Sequence, residues 1–174
     1  RTHIQDYGWQ AWKYDKEISG KINEGKKIEA IEIKLIPKLQ KEMNVTYTSH
    51  VQDVGWQQYV YNGETSGKIN SNLKIEAVKI QLINPLESVK IRYRTYVEDS
   101  GWQAWKEDGN ISGTIGKNLR VYGIRIELTG TKEYSVQYRV NVQDDGWTEW
   151  KKNGDIAGNI TQNKKIEGIE IRII

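Results

Sequence analysis

The stretch HVQDVGWQQY, residues 50–59, decides the fold, because nearly the same text occurs three more times in the chain. The other copies read HIQDYGWQAW from residue 3, YVEDSGWQAW from residue 96 and NVQDDGWTEW from residue 141. Successive Gly-Trp pairs lie 47, 46 and 45 residues apart. A nearly constant period of this length indicates an array of equivalent structural units.

The text on either side of the Gly-Trp pair recurs as well, so the repeat spans almost the whole chain. We predict one repeat-built domain over 1–174, with units of about 1–40, 41–86, 87–131 and 132–174. Arg1 aligns with Arg94, so the first repeat lacks the beginning of its first strand. We interpret this as a boundary inside a longer repeat array.

Within a repeat, the apolar residues have a period of two, which is typical of a half-buried strand. An opening strand is predicted at 89–97, a short aromatic strand at 102–105 and a closing strand at 74–83 and its equivalents. The closing strands change phase beside a small residue, as at Ala77-Val78, which indicates a β-bulge or a strand end buried on both faces. We expect each closing strand to pair with the next opening strand, because the linkers are short.

No stretch carries a helical stripe, so the fold class is all-β. Antiparallel units of 45–47 residues suit a closed, pseudo-symmetric arrangement. Four units favour a propeller-like ring, whereas three complete units and a partial one suit a β-prism or a trefoil-like fold. Both alternatives stay open at the level of sequence.

Composition excludes several functional classes. The net charge is only +3 and the charges interleave, so no basic stripe for nucleic acid stands out. No apolar run is long enough to insert into a membrane. The chain has no cysteine, which excludes disulfides and thiol nucleophiles. Four near-identical units offer no unique pair of carboxylates, so we expect no enzyme, no cofactor and no metal.

Aromatic residues are the first candidates for ligand contact. The first Trp of each repeat is the same in every copy, and we predict that it packs in the core. A second aromatic follows three positions later, and strand alternation predicts that it lies on the opposite face. An exposed aromatic there would stack on a sugar ring, and the alternative is packing between repeats. These second aromatics are Trp12, Tyr59, Trp105 and Trp150.

One aspartate precedes each Gly-Trp pair in an Asp-x-Gly sequence. The four are Asp6, Asp53, Asp99 and Asp144. Aspartate suits turn geometry, so a structural role in a turn is predicted. A hydrogen bond to a sugar hydroxyl is the alternative, and the four aspartates are therefore candidate ligand-binding residues. Calcium is a weak hypothesis, because it needs six or more oxygens and each turn offers one carboxylate.

The frame V-Q-D-x-G-W-x-x-W, with S-G-x-I and I-E-[AG]-[IV]-x-I-x-[LI] after it, resembles the ChW repeat, the clostridial hydrophobic repeat with a Trp. The resemblance covers nearly the whole chain, with Tyr59 and Tyr122 as departures from the frame. It implies an exported or cell-surface protein of clostridia or related Gram-positive bacteria. It also implies attachment to polysaccharide or to other proteins.

These features together predict a non-catalytic, multivalent binding module that is secreted or on the cell surface. The expected partner is a cell-wall or host polysaccharide, recognised through the repeated aromatic residues. The alternative is a structural or protein–protein interaction scaffold of a bacterial surface protein. The oligomeric state and the identity of the ligand do not follow from the sequence.

Overall fold

The computed structural model describes residues 1–13, 17–34 and 42–174, and every regular element in these ranges is a β-strand. The prediction of an all-β fold is confirmed. No helix long and apolar enough to cross a bilayer occurs in these ranges. Most of the linker between the first and second repeats lies outside the described residues.

The strands follow the same order in every repeat. The first repeat contains β1 (Thr2–Ile4), β2 (Gly8–Trp9) and β3 (Ile28–Ile31). The second contains β4 (Asn44–Val51), β5 (Gly55–Trp56), β6 (Val60–Tyr61), β7 (Ser66–Gly67) and β8 (Ile75–Ile83). The third contains β9 (Lys90–Val97), β10 (Gly101–Trp102), β11 (Lys106–Glu107), β12 (Ser112–Gly113) and β13 (Val121–Thr129). The fourth contains β14 (Val136–Val142), β15 (Gly146–Trp147), β16 (Lys151–Lys152), β17 (Ala157–Gly158) and β18 (Ile166–Ile173).

Each closing strand pairs with the opening strand of its own repeat. The antiparallel pairs are β1–β3, β4–β8, β9–β13 and β14–β18. The expected hairpin between a closing strand and the next opening strand is therefore wrong. The two strands of one repeat share a long register, such as Thr46 with Gln81 and Tyr47 with Ile80, and the linker instead leads to a new sheet.

The phase change in the closing strands is a β-bulge. In the second repeat, His50 pairs with Ala77 and Val51 pairs with Ile75, so Glu76 is the extra residue. The same register shift occurs in the other three repeats. On the C-terminal side of the bulge, buried and less buried side chains alternate, whereas Ile75 to Val78 are all buried. The bulge and the strand end buried on both faces, which the sequence left as alternatives, therefore occur together.

The short strand with the sequence Ser-Gly or Ala-Gly joins the second, third and fourth repeats to one another. Strand β7 of the second repeat pairs with β18 of the fourth. Strand β12 of the third pairs with β8 of the second, and β17 of the fourth pairs with β13 of the third. Each of these repeats gives one strand to a neighbour and receives one, so the exchange is cyclic among the three.

Three buried tyrosines connect the same repeats by their hydroxyl groups. Tyr93 donates a hydrogen bond to the carbonyl oxygen of Asn110 in its own repeat. The same hydroxyl accepts a 3.0 Å hydrogen bond from the amide of Ile80 in the second repeat. In the same way, the hydroxyl of Tyr47 donates to the carbonyl oxygen of Glu64 in its own repeat and accepts from the amide of Ile171 in the fourth repeat. Tyr138 is the third of the set, and all three side chains are completely buried.

The hydrophobic core lies where these three repeats meet. Residues from β8, β9, β13, β14 and β18 surround a small apolar cavity of about 10 Å³ at the centre. The equivalent closing-strand positions are exposed in the first repeat. Ile33 is 85% exposed there, whereas Ile80, Ile126 and Ile171 at the same position are completely buried. One repeat therefore does not bury its own closing strand, and three repeats together do.

The described chain divides into two compact bodies, Arg1–Gln40 and Lys41–Ile174. The division coincides with the predicted boundary between the first and second repeats. The N-terminal body has one three-stranded sheet, in the order β2-β1-β3. The C-terminal body has three five-stranded sheets. The single domain over 1–174 therefore stays a prediction.

Substitution of Gly113 tests the strand exchange between the second and third repeats. An added methyl group at Gly113 would lie 2.6 Å from the Cα of Ala77 and still closer to the carbonyl oxygen of Glu76, both in the second repeat. Gly113→Ala should therefore lower the free energy of unfolding of the C-terminal body by more than about 3 kcal/mol in urea titrations. Gly63→Ala is the matched control, because Gly63 also has a positive φ but has open space around it. Its expected cost is only about 1 kcal/mol, and equal costs at both sites would contradict the exchange.

The buried tyrosines predict a loss of stability at alkaline pH. Burial raises the pKa of Tyr93 and Tyr138 to about 12, and it raises the pKa of Tyr47 as well. A tyrosine in the unfolded chain ionises near pH ~10. These three tyrosines therefore leave the free energy of unfolding unchanged below that pH and lower it as the pH rises towards ~12. Tyr93 and Tyr138 each contribute at most about 2–3 kcal/mol to this decline.

Urea titrations between pH 8 and pH 12 measure the decline. Tyr93→Phe should reduce the loss of unfolding free energy over this pH range by the contribution of one tyrosine. Tyr61→Phe is the control, because Tyr61 is exposed, and its loss should equal that of the parent protein. An unchanged slope for Tyr93→Phe would contradict the assignment.

Candidate functional site

The first tryptophans lie on the outer face of the sheets and not in the core. The short strands β2, β5, β10 and β15 pair them with the end of the opening strand. Trp102 meets the ring of Tyr96 edge-on, with ring centres 5.4 Å apart, and Trp56 and His50 repeat this geometry. None of the four is among the buried core residues, and Trp9 is 44% exposed. The predicted core position is therefore wrong, because buried tyrosines and isoleucines fill the inner face instead.

A cation lies against both aromatics of a repeat. The guanidinium of Arg94 is 5.0 Å from the ring centre of Trp102 and 4.6 Å from that of Trp105. Arg139 contacts Trp147 and Trp150 at 4.9 and 4.8 Å, and Arg1 contacts Trp9 and Trp12 at 4.9 and 4.7 Å. We call each set, an opening-strand cation with the first and second aromatics of its repeat, an aromatic–cation ladder.

The predicted opposite faces for the first and second aromatics are therefore wrong in the repeats with a ladder. Strand β10 ends at Trp102, so the alternation of a strand does not continue to Trp105. Both rings reach the same arginine instead. These arginines were not among the predicted site residues, although the sequence carries their signal. They occupy outward positions of the period-two opening strand, on the face where the tryptophans lie.

The second repeat departs from the ladder pattern. Thr48 occupies the position of Arg94, and its hydroxyl donates a hydrogen bond to the carbonyl oxygen of Gln57. Lys79 of the closing strand lies over Trp56 instead, 4.4 Å from the ring centre. Tyr59, the second aromatic, is 46% exposed. The outer aromatic residues therefore occupy the same positions in the repeats, but the cation that contacts them differs.

The repeats also differ in whether a carboxylate neutralises the arginine of the ladder. Arg139 forms an ion pair with Glu170 at 2.7 Å, and Arg1 forms one with Glu32 at 2.5 Å. The hydrogen bond from Arg1 lowers the pKa of Glu32. In the third repeat the residue directly opposite Arg94 is Arg125. Both of these arginines have a buried Nε atom without a hydrogen-bond partner in the described structure, so the third ladder carries unneutralised positive charge.

The four aspartates are turn residues, as predicted. Asp6, Asp53, Asp99 and Asp144 all have a left-handed backbone, with φ between 58° and 67°. Aspartate tolerates this conformation better than most residues do. Asp6 also accepts a 2.7 Å hydrogen bond from Lys26. The structural role is sufficient to explain the identity of the residue in every repeat.

Asp144 additionally lines an open polar cleft of about 430 Å³ between the second and fourth repeats. Asn70, Asn72, Gln143 and Glu167 are among the other lining residues. Trp150 does not line this cleft, so the structure separates the candidate aspartate of this repeat from its candidate aromatic. In the described part of the chain, no three histidine, aspartate or glutamate side chains form a group that could hold a metal ion.

The comparisons with known proteins identify the family. The family model ChW, clostridial hydrophobic W, matches residues 3–37, 50–84, 96–130 and 141–174, and the chain belongs to this family. The predicted resemblance and the four tandem repeats are confirmed. The chain matches no curated protein and no solved structure.

The neutralised ladder of the fourth repeat gives a stability prediction. Glu170 is almost fully buried and also accepts a 2.7 Å hydrogen bond from Thr65. Arg139→Ala leaves this carboxylate without its cation and should cost about 2–3 kcal/mol of unfolding free energy. Arg172→Ala is the control, because Arg172 stacks on Trp150 at 4.0 Å but binds the neutral Gln137. Its cost should stay below about 1 kcal/mol in the same urea titrations, and equal costs would show that stacking alone stabilises the ladder.

Proposed function

We propose that this protein is a non-catalytic, multivalent binding module that recognises carbohydrate through its outward aromatic residues. The observation that carries the proposal is the partial exposure of Trp12, Tyr59, Trp105 and Trp150 in all four repeats. A flat aromatic ring offers apolar area at low entropic cost, and the apolar face of a sugar ring stacks on it. Membership of the ChW family is consistent with this role.

The cations of the ladders favour sugars that carry an acidic group. A guanidinium beside an aromatic ring can donate hydrogen bonds to a carboxylate, sulfate or phosphate while the ring contacts the sugar. The third ladder is best suited to such a ligand, because Arg94 and Arg125 face each other without a carboxylate between them. We therefore propose an acidic polysaccharide of a cell wall or of a host as the partner, bound outside the cell.

Multivalency is a necessary part of the proposal. A single shallow site of this kind would bind with a Kd of about 1 mM, equivalent to ~4 kcal/mol. Several sites on one chain raise the apparent affinity when their spacing matches the repeat of the polymer. The recurrence of a similarly placed site in every repeat also supports a non-catalytic role, because catalysis requires a unique constellation of groups in one cleft.

A structural or protein-interaction scaffold is the second candidate. The observation that favours it is the stacking of the tryptophans on arginines, which covers part of the ring surface. In that case the ladders would stabilise the outer face of each sheet, and a surface protein would bind elsewhere.

Binding to a glycan array and to purified Gram-positive cell-wall polymers tests the two candidates. The parent protein should bind an acidic polysaccharide with quenching of tryptophan fluorescence. Alanine at Trp12, Tyr59, Trp105 and Trp150, introduced one after another, should weaken binding in steps of up to about tenfold each. Tyr61→Ala is the matched control, because Tyr61 is an exposed tyrosine outside the ladders.

Two outcomes would contradict the carbohydrate proposal. Full binding by the quadruple variant would show that the aromatic residues are not the site. An absence of binding to the whole panel, from a sample with the circular dichroism of the folded protein, would favour the scaffold.

A further inference from the structure

Three cations converge at one end of the C-terminal body. Lys74, Arg120 and Lys165 each directly precede a closing strand, at the same position of their repeats. They line one open cleft of about 390 Å³, to which all three repeats of the body contribute. The other lining groups are the neutral carboxamides of Gln52, Asn72, Asn118 and Gln143, and no carboxylate side chain lines the cleft.

The two lysines are held in the cleft by neighbouring repeats. Lys74 is 6% exposed, and its ammonium donates to the backbone and side-chain oxygens of Asn118 at 2.9 and 2.6 Å. Lys165 is 7% exposed and donates to the two corresponding oxygens of Asn72 at 2.5 and 2.7 Å. The identical arrangement at two interfaces fixes the ammonium groups in place, which long lysine side chains on an open surface do not achieve.

The carboxylates near this cluster balance only part of its charge. Lys165 lies 3.6 Å from Glu167, and Arg120 lies 3.7 Å from Glu98. Lys74 forms no ion pair with any described carboxylate, although it interacts electrostatically with Glu98, and its buried ammonium donates to the neutral oxygens of Asn118. A buried charge without a counter-charge is costly. An anion from solution in the cleft would supply the missing charge.

We propose that this cleft is a binding site for a small oxyanion, namely a phosphate, a sulfate or a carboxylate group of a ligand. The ammonium of Lys74 and the guanidinium of Arg120 supply charge-assisted donors, and the amides of Gln52 and Gln143 supply neutral ones. The site is distinct from the aromatic–cation ladders, since no tryptophan lines it. It does not depend on the carbohydrate proposal.

Titration of the intact chain with sodium phosphate, sodium sulfate or sodium glucuronate tests the proposal. Ionic strength is kept constant with sodium chloride, so that general screening does not change. The amide resonances of residues around the cleft report binding by NMR, and the thermal midpoint reports it independently. We expect saturable shifts with at least one of the three anions, and a rise of the thermal midpoint with the same anion.

Two variants in the cleft and one outside it locate the site. Lys74→Gln and Arg120→Gln should each weaken anion binding by about tenfold or more, because each removes a charged hydrogen-bond donor. Lys132→Gln removes the same charge from an exposed position between β13 and β14, outside the cleft and the ladders, and should leave the Kd unchanged. Arg120 is exposed, so Arg120→Gln keeps the test valid even if Lys74→Gln fails to fold.

The proposal is overturned by either of two results. One is the absence of saturable binding of all three anions to the folded parent protein. The other is an equal loss of affinity in Lys132→Gln and Arg120→Gln, which would mean that the anions respond to the overall charge and not to the cleft.

Discussion

The buried tyrosine hydroxyl is the interaction on which the C-terminal body depends. Tyr93 and Tyr47 each donate to a carbonyl of their own repeat and accept from an amide of another. A hydroxyl in an apolar core is costly without partners, so these groups are stable only when the neighbouring repeat is in place. In the first repeat, the equivalent closing-strand residue Ile33 is exposed. The stable unit is therefore three repeats that exchange strands, and not one.

This arrangement also determines where function is located. Aliphatic residues and tyrosines occupy the inner faces, so the tryptophans lie on the outer faces and stack on cations. The outer positions vary from repeat to repeat. Arg139 is neutralised by Glu170, whereas Arg94 faces Arg125. The repeats thus present one geometry with different charges, while the cyclic exchange brings equivalent loops together into clefts that no single repeat contains.

The sequence was sufficient to predict the fold class, the four tandem repeats and the turns, because these follow from local patterns such as the period of two and the Asp-x-Gly turn. It left the β-bulge as one of two alternatives for the closing strands. The strand exchange was not predictable, since the partner of Ser112-Gly113 is Ala77-Val78 of another repeat. The positions of the tryptophans were predicted wrongly for a related reason. Strand alternation fails once β10 ends at Trp102, and the arginine that holds both rings comes from a different strand.

Hydrogen exchange of three glycine amides tests the cyclic assembly most directly. Gly63, Gly109 and Gly154 donate across the repeats to the carbonyl oxygens of Ile171, Ile80 and Ile126, at 2.7, 2.7 and 2.8 Å. If the three repeats form one cooperative unit, these amides exchange only through global unfolding, with the same free energy as the amides of the central strands. Exchange of each amide at its own lower free energy, independent of the core, would contradict the assembly and show that the repeats fold separately.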